Sequence, residues 1–275
     1  MEAINILVCG NEGARDGIIL ALLSIADKTE SEIRLFVGTM DLTDTDSRYT
    51  PITEGDRSLF EMILREKNPD SRVILLDMGD AFRAELYGGK NMDTRYTPYA
   101  MLRLCADMYD LPDKLLYLDT DVCALGDIAE LYSVDIEGYE VAGALDYYGR
   151  FFISPRYMNS GVMLWNMKEI KEKGTFAVAR KICRERKMLL CDQSAIHRAV
   201  KSKLILPRKF NEQHNASPDT VIQHFSMRIR WIPFGTEKIK PWQPELLHEK
   251  LGVYYLDGYI ERWQRIKAVG YAYCK

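Results

Sequence analysis

No apolar run in this sequence approaches the roughly 20 residues needed to cross a bilayer, so no membrane-spanning helix is expected. The N-terminus lacks a basic stretch followed by a long apolar one, so no signal peptide is expected either. Cysteine is sparse. The six residues (Cys9, Cys105, Cys123, Cys183, Cys191, Cys274) are scattered, none forms a C-x-x-C pair, and most sit inside apolar runs. Buried, reduced thiols in a cytoplasmic protein are the reading of that pattern. An excess of basic charge is also missing. With 37 basic against 40 acidic residues and a net charge of −3, there is no footprint for nucleic acid. Internal repeats, low-complexity segments and a clear linker are absent, which favours one domain over residues 1–275.

Apolar residues make up 47% of the chain, enough to bury a sizeable core. Their arrangement alternates between strand-like and helix-like runs. Ala3–Cys9 reads as a buried strand ending in the turn Gly10-Asn11-Glu12-Gly13, and Gly17–Ile25 as a buried helix. Strands are predicted at Glu32–Val37, Arg72–Leu76, Lys114–Asp121, Val141–Leu145, Ser160–Trp165 and Val221–Phe225. Helices are predicted at Ser58–Glu66, Tyr99–Met108, Phe176–Lys187 and Gln193–Val200. This alternation predicts an α/β fold with a largely parallel sheet, in which ligands bind beyond the carboxyl ends of the strands. Residues 226–244 read as loop. From Glu245 onward aromatic and charged residues mix (Tyr254, Tyr255, Tyr259, Trp263, Tyr271, Tyr273), and the C-terminal third looks irregular.

The sharpest chemical signal is Leu116-Tyr117-Leu118-Asp119-Thr120-Asp121, an apolar strand running into two carboxylates. Alternation along an extended chain would place Asp119 and Asp121 on one face. A shared cation would offset their repulsion, and hard oxygen ligands suit Mn²⁺ or Mg²⁺. A solvated loop with N-capping aspartates is the bland alternative, because D-x-D is short and common.

Six blocks in order resemble glycosyltransferase family 8, the group that includes bacterial lipooligosaccharide galactosyltransferases and glycogenin. They are ILVCGNEG, TPYAMLRL, KLLYLDTDV, MNSGVMLWN at 158–166, Cys191-Asp192-Gln193, and QHF followed by KPW at 240–242. The resemblance runs from Ile4 to about Trp242. It implies a single GT-A-type, Rossmann-like domain with a nucleotide-binding half (1–125), a sugar and acceptor half (126–245) and a helical tail (246–275). It implies a retaining transferase that moves a hexose, galactose or glucose, from a UDP-sugar to a saccharide or glycolipid acceptor in lipopolysaccharide-type synthesis, with Mn²⁺ (or Mg²⁺) as cofactor. Cytoplasmic work, with peripheral contact at the inner face of the membrane, would follow.

The resemblance also implies roles. Asp119, Asp121 and His224 match the metal ligands, though a histidine after a short strand is more often structural, and His214 is the nearest rival. Cys9, Gly10, Asn11 and Gly13 match the segment holding uracil and ribose. Tyr99 and Arg103 match a helix over the donor; placing Arg103 requires a one-residue gap before the D-x-D, so a shift to Met101 is one alternative and a helix-surface arginine another. Thr120, Asn159 and Ser160, with Gly161, match positions around the nucleotide-sugar. Lys240 matches a diphosphate-binding lysine. The insert SMRIRWIPFGTEKI before it leaves Lys238 in competition. Asp192 and Gln193 match the pair near the anomeric carbon, and Asp146 an acceptor-side carboxylate or an ordinary loop residue. An amide at Gln193 is a poor nucleophile, which argues for front-face attack through a loose ion pair. The mildly basic tail from Tyr259 to Lys275 is expected to form a packed helix, with a membrane-surface contact as the alternative. Two other readings stay open on residues alone: a haloacid-dehalogenase-type phosphatase, whose motif also sets an Asp after a strand, and a non-catalytic sugar-nucleotide binder.

Overall fold

The computed structural model describes residues 3–92, 97–231 and 234–269. Tyr271, Tyr273 and Cys274 lie outside these residues, as do positions 232–233 of the insert. Strands β1 (Ile4–Cys9), β2 (Ile33–Thr39), β3 (Arg72–Asp77), β4 (Lys114–Leu118), β6 (Val141–Leu145), β7 (Met158–Asn166) and β8 (Lys203–Leu206) form one seven-stranded sheet in the order β3-β2-β1-β4-β7-β6-β8. The pairings among β1, β2, β3 and β4 are parallel, as is β6 with β8. Only β7 runs against its neighbours. The sheet is thus mixed and mostly parallel, as expected.

Both faces are covered, which is why β1 is apolar but for Asn5, whose buried amide donates to the Tyr132 hydroxyl at 2.9 Å. Ile4, Ile6 and Val8 join Leu116, Leu118 and Leu164 in a core under the Arg15–Lys28 and Glu54–Arg65 helices. Leu7 and Cys9 point to the opposite face with Tyr117, Met163 and Trp165, beneath the Thr175–Glu185 and Cys191–Ala199 helices. Period-2 alternation therefore divides each central strand between two cores.

The chain leaves β1 toward β2 and β3 on one side, then returns to β4 on the other. This reversal opens a crevice beyond the carboxyl ends of β1 and β4. Cys9–Asn11 and Asp119–Asp121 stand at those two ends.

Several local expectations change. Strand β4 stops at Leu118, so Asp119 and Asp121 are not aligned by strand alternation. They lie in a turn between β4 and β5 (Val122–Ala124). Strand β5 pairs antiparallel with β9 (Ile222–His224), and Val122 sits opposite His224. The segment read as loop at 226–244 holds an antiparallel hairpin of β10 (Arg228–Trp231) and β11 (Phe234–Glu237). A proline between the two runs suggests a break, and cross-strand pairing leaves no local trace. The predicted Tyr99–Met108 helix is α-helical only to Leu102 and continues as a 3₁₀ helix from Arg103.

The described part of the tail is a packed helix, Asp257–Ala268. Its Trp263 Nε1 donates to Asp16 at 3.0 Å and its Tyr259 hydroxyl donates to Asp27 at 2.7 Å, docking it on the first helix. No described helix is long and apolar enough to cross a membrane. The five described cysteines are buried free thiols.

Candidate active site

A cleft of about 690 Å³ opens at the crevice between β1 and β4. Cys9, Gly10 and Asn11 form one wall, with Tyr99 and Arg103 beside them. Gly13 is exposed and does not line the cleft. Asn11 donates its amide to the Arg48 carbonyl at 3.1 Å. Burial pushes the Cys9 thiol up to about 12, against the opposing field of Arg103, so it stays protonated and is no nucleophile.

Two short segments bring the metal-ligand candidates together. The turn after β4 carries Asp119 and Asp121, and β9 carries His224. One ligand atom from each falls within 4.8 Å of the others. His224 Nε2 lies 3.2 Å from Asp121 Oδ1 and 3.8 Å from Asp119 Oδ2. Behind them β7 passes at Gly161, where a Cβ would stand 2.1 Å from His224 Cε1 and 2.7 Å from Asp119 Oδ2. Only glycine allows so close an approach. His214, the rival histidine, is elsewhere in the cleft region. Its ring stacks on Tyr147 with centroids 4.2 Å apart and meets the Tyr148 hydroxyl at 3.1 Å.

Each carboxylate has its own cation. Lys240 Nζ donates to Asp121 Oδ2 and, at 3.0 Å, to the Phe225 carbonyl. Burial would push the Asp121 carboxyl up, but Lys240 and His224 together hold it well below the usual range. Arg103, 4% exposed, donates to Asp119 Oδ1 at 2.7 Å and to the Ser160 carbonyl at 2.7 Å, and its Nε lies 3.3 Å from Asp192 Oδ2. Its guanidinium lies 4.2 Å from the centroid of the Tyr117 ring. Burial opposes that charge, yet Asp119, Tyr117 and Asp192 raise its pKa further, so the planar head is a fixed fork joining two carboxylates. This places Arg103 inside the site rather than on the helix surface. Met101 instead packs in the core. Lys238 and Lys240 both line the cleft, as does Trp242.

Gln193 is clamped at both ends of its amide. Its Oε1 accepts from the Ser160 N–H at 3.0 Å, and its Nε2 donates to Asp146 Oδ2 at 3.0 Å. The other Asp146 oxygen accepts from the N–H groups of Tyr148 and Gly149 at 3.2 and 2.6 Å. Asn159 also donates to Asp146 Oδ2, at 3.0 Å. Asp146, Asn159, Ser160 and Gln193 thus form one polar panel on the side of the cleft facing away from β1.

Sequence reading missed the outer end of this cleft. Tyr147, Tyr148, Phe152, Ile153, Leu189, Met227 and Ile229 line it. Phe151, Phe152 and Leu189 are 71, 68 and 75% exposed. Phe151-Phe152-Ile153 is a run of three exposed apolar residues, a signal that is present in the sequence. In the absence of any sign that it borders a cleft, such a run has the look of a core segment.

Known proteins resemble this chain in sequence and in fold. The chain aligns with the glycosyltransferase GlyF of Streptococcus pneumoniae serotype 4 (strain ATCC BAA-334 / TIGR4) at 23% identity over 145 residues, 46% of this chain and 36% of GlyF. It aligns with GlyA of the same organism at 32% identity over 74 residues, 27% of this chain and 10% of GlyA. The chain therefore spans only a minor part of the length of these relatives. Among solved structures, an active-site mutant of LgtC superposes with a TM-score of 0.66 at 17% identity, covering 94% of both chains. GlyE of S. pneumoniae TIGR4 gives 0.65 at 15% identity, covering 96% of this chain and 64% of GlyE. Such distant likenesses establish the GT-A fold. Residues 90–245, more than half of the chain, match the model for "Glycosyl transferase family 8", and the protein belongs to that family of enzymes.

Proposed function

We propose that this glycosyltransferase is a retaining, Mn²⁺-dependent hexosyltransferase that moves galactose or glucose from a UDP-sugar to a glycolipid or saccharide acceptor. The observation that carries the reading is the convergence of Asp119, Asp121 and His224 ligand atoms within 4.8 Å. Two hard oxygens and one imidazole nitrogen suit Mn²⁺, with Mg²⁺ as second choice. The glycine at 161 keeps the space beside them free of a side chain that a Cβ would already crowd. When bound, a divalent cation there would neutralise charge on the departing diphosphate. Family membership sets aside the phosphatase alternative, and the intact carboxylate pair with its histidine argues against a non-catalytic binder.

The chain's own residues supply the rest. Cys9–Asn11 and Tyr99 offer a wall for the nucleoside, largely through backbone groups. Lys240, with Lys238 nearby, puts positive charge where a diphosphate would meet the metal ligands. Arg103, Asp192, Ser160 and Gln193 surround the space for the hexose. The Asp192 carboxylate is paired with Arg103, and the Gln193 amide is held by Ser160 and Asp146. Neither is presented as an activated nucleophile. That supports front-face attack by the acceptor hydroxyl on a loose ion pair, with Gln193 as an electrostatic support. A glycosyl adduct trapped on Gln193 or Asp192 and seen by mass spectrometry would overturn this part.

Asp146 borders the acceptor end, and the apolar side chains beyond it favour a glycolipid over a free sugar. An exposed apolar run at a cleft mouth gains by covering an apolar aglycone. Buried free cysteines support work in the cytoplasm, at the inner face of the membrane where such acceptors lie.

The deciding experiment measures UDP release from UDP-hexoses with and without Mn²⁺, for the wild type and Asp121→Asn. The variant is expected to lose at least about 100-fold, more than is usual for removing a group that merely supports a ligand. Unchanged release in Asp121→Asn would sink the metal assignment.

A further inference from the structure

The hydrogen-bond polarity behind the metal-ligand cluster can be read from two ends whose roles admit no choice. The Gly161 backbone N–H can only donate, and it meets Asn159 Oδ1 at 3.0 Å. The Asp146 carboxylate accepts, and the other end of the same amide meets it at 3.0 Å. Asn159 is thus oriented, with its oxygen toward Gly161. That oxygen also lies 3.0 Å from Asn211, so the Asn211 atom facing it must be the donor, Nδ2. The remaining Asn211 atom is then Oδ1, an acceptor, and it lies 3.1 Å from His224 Nδ1. An acceptor there requires Nδ1 to carry a proton. The other ring nitrogen, Nε2, faces Asp119 and Asp121.

From this relay we infer that Asn211 is a positioning residue of the metal centre. It fixes the His224 tautomer so that the Nε2 lone pair is the one offered to a cation. The inference rests on the metal reading above. Asn211 does not line the cleft. It is fully buried directly after the 3₁₀ turn Arg208–Phe210. Without the relay, a neutral His224 could place its proton on Nε2 and donate to Asp121, an arrangement that two neighbouring carboxylates would favour. Asn211 makes that tautomer costly, because a protonless Nδ1 would face the Asn211 oxygen lone pairs inside a buried network. A supporting hydrogen bond to the second ring nitrogen also makes an imidazole a better ligand.

The relay has a further consequence. Asn159, whose other end holds Asp146, links the acceptor-side panel to the metal-side histidine through one continuous run, Asp146–Asn159–Asn211–His224. The part of the cleft that would receive the acceptor and the part that would hold the metal therefore share a single polarity.

Two measurements test the proposal. The first is ¹⁵N–¹H long-range NMR of the metal-free, histidine-labelled wild type, which has only four histidines to assign. A proton on His224 Nδ1 is expected, and a pyridine-type Nδ1 would overturn the inference whatever the fate of any variant. The second is Mn²⁺ affinity by calorimetry for the wild type and for Asn211→Leu, with thermal unfolding as the control for folding. The variant is expected to bind Mn²⁺ about 10–100-fold more weakly, and equal affinity in a folded variant would overturn the inference. A wild type that binds no Mn²⁺ would instead overturn the metal reading and leave the NMR result to stand by itself.

Discussion

On the floor of the cleft Arg103, Asp192 and His224 are buried and each is tied to a fixed neighbour, whereas at the rim Phe152 and Leu189 turn most of their surface to solvent. The floor is a closed polar network in which donors and acceptors match, so each bond holds the next in orientation. The rim has no such constraint and contributes area rather than geometry. Chemistry that must place charge within fractions of an ångström needs the first kind of surface. Recognition of an acceptor beyond the reacting hydroxyl can rely on the second.

The comparison can be broken most severely at Gly161. Gly161→Ala would push a methyl against His224 and Asp119. Metal-dependent UDP release should fall by at least about 100-fold, more than for loss of a supporting group, and overpacking should cost ~1–3 kcal/mol in stability. Mn²⁺ titration and thermal unfolding of the variant check both, and near-wild-type metal binding would show that the floor tolerates slack.

Arg103→Lys comes next. It keeps the charge but loses the planar fork that reaches Asp119, Asp192 and the Ser160 carbonyl together. A fall in kcat/KM of about 10–100-fold is expected, the scale of outer-shell losses. Steady-state kinetics at saturating Mn²⁺ decides, and a variant with unaltered kcat/KM would mean that charge alone suffices.

The rim should respond differently. Phe152→Ser combined with Leu189→Ser should raise KM for an alkyl-glycoside acceptor about 10-fold, since fully burying one such side chain is worth ~1.5–3 kcal/mol and each would be covered only in part. Donor hydrolysis and thermal stability should not move, because both side chains already face water. Equal KM for alkyl and free-sugar acceptors in the wild type would remove the rim from acceptor choice.

The smallest effect belongs to neither surface. Burial, with Lys203 and Arg198 beside it, pushes His197 down to about 4. The unfolded chain would bind that proton first as pH falls, near ~6.5. The stability gained from the neutral ring is therefore fully present above about pH 6.5 and is lost as pH drops toward 4. His197→Gln should flatten the fall of Tm across that window while leaving UDP release intact, and an unchanged slope would show that the ring's pKa is ordinary.

Much of the floor is legible in the amino-acid sequence, because D-x-D at a strand end, a histidine closing a short strand and N-S-G entering a strand are short patterns with stereochemical reasons. Six of the seven strands of the central sheet are legible as well, since doubly covered strands are largely apolar runs. The rim is not. Phe151-Phe152-Ile153 carries no sign of which way it faces, and burial is a property of what packs against a segment. The hairpin at 228–237 and strand β8 escape sequence reading on similar grounds, as pairing is decided by contacts and not by local composition. Asn211 has no local signal at all. It is one asparagine after a turn, and only its distances to Asn159 and His224 give it a role.

The sequence by itself determined the α/β alternation, the family, and the two carboxylates with a distant histidine. Those rest on residue type and spacing, which the covalent chain carries. Only the tertiary structure decided how the three candidate ligands meet. The turn after Leu118, the pairing of Val122 with His224 and the close passage of Gly161 bring them together. That outcome depends on contacts between segments far apart in the chain, whose free energy comes from burying surfaces together and is written in no single segment.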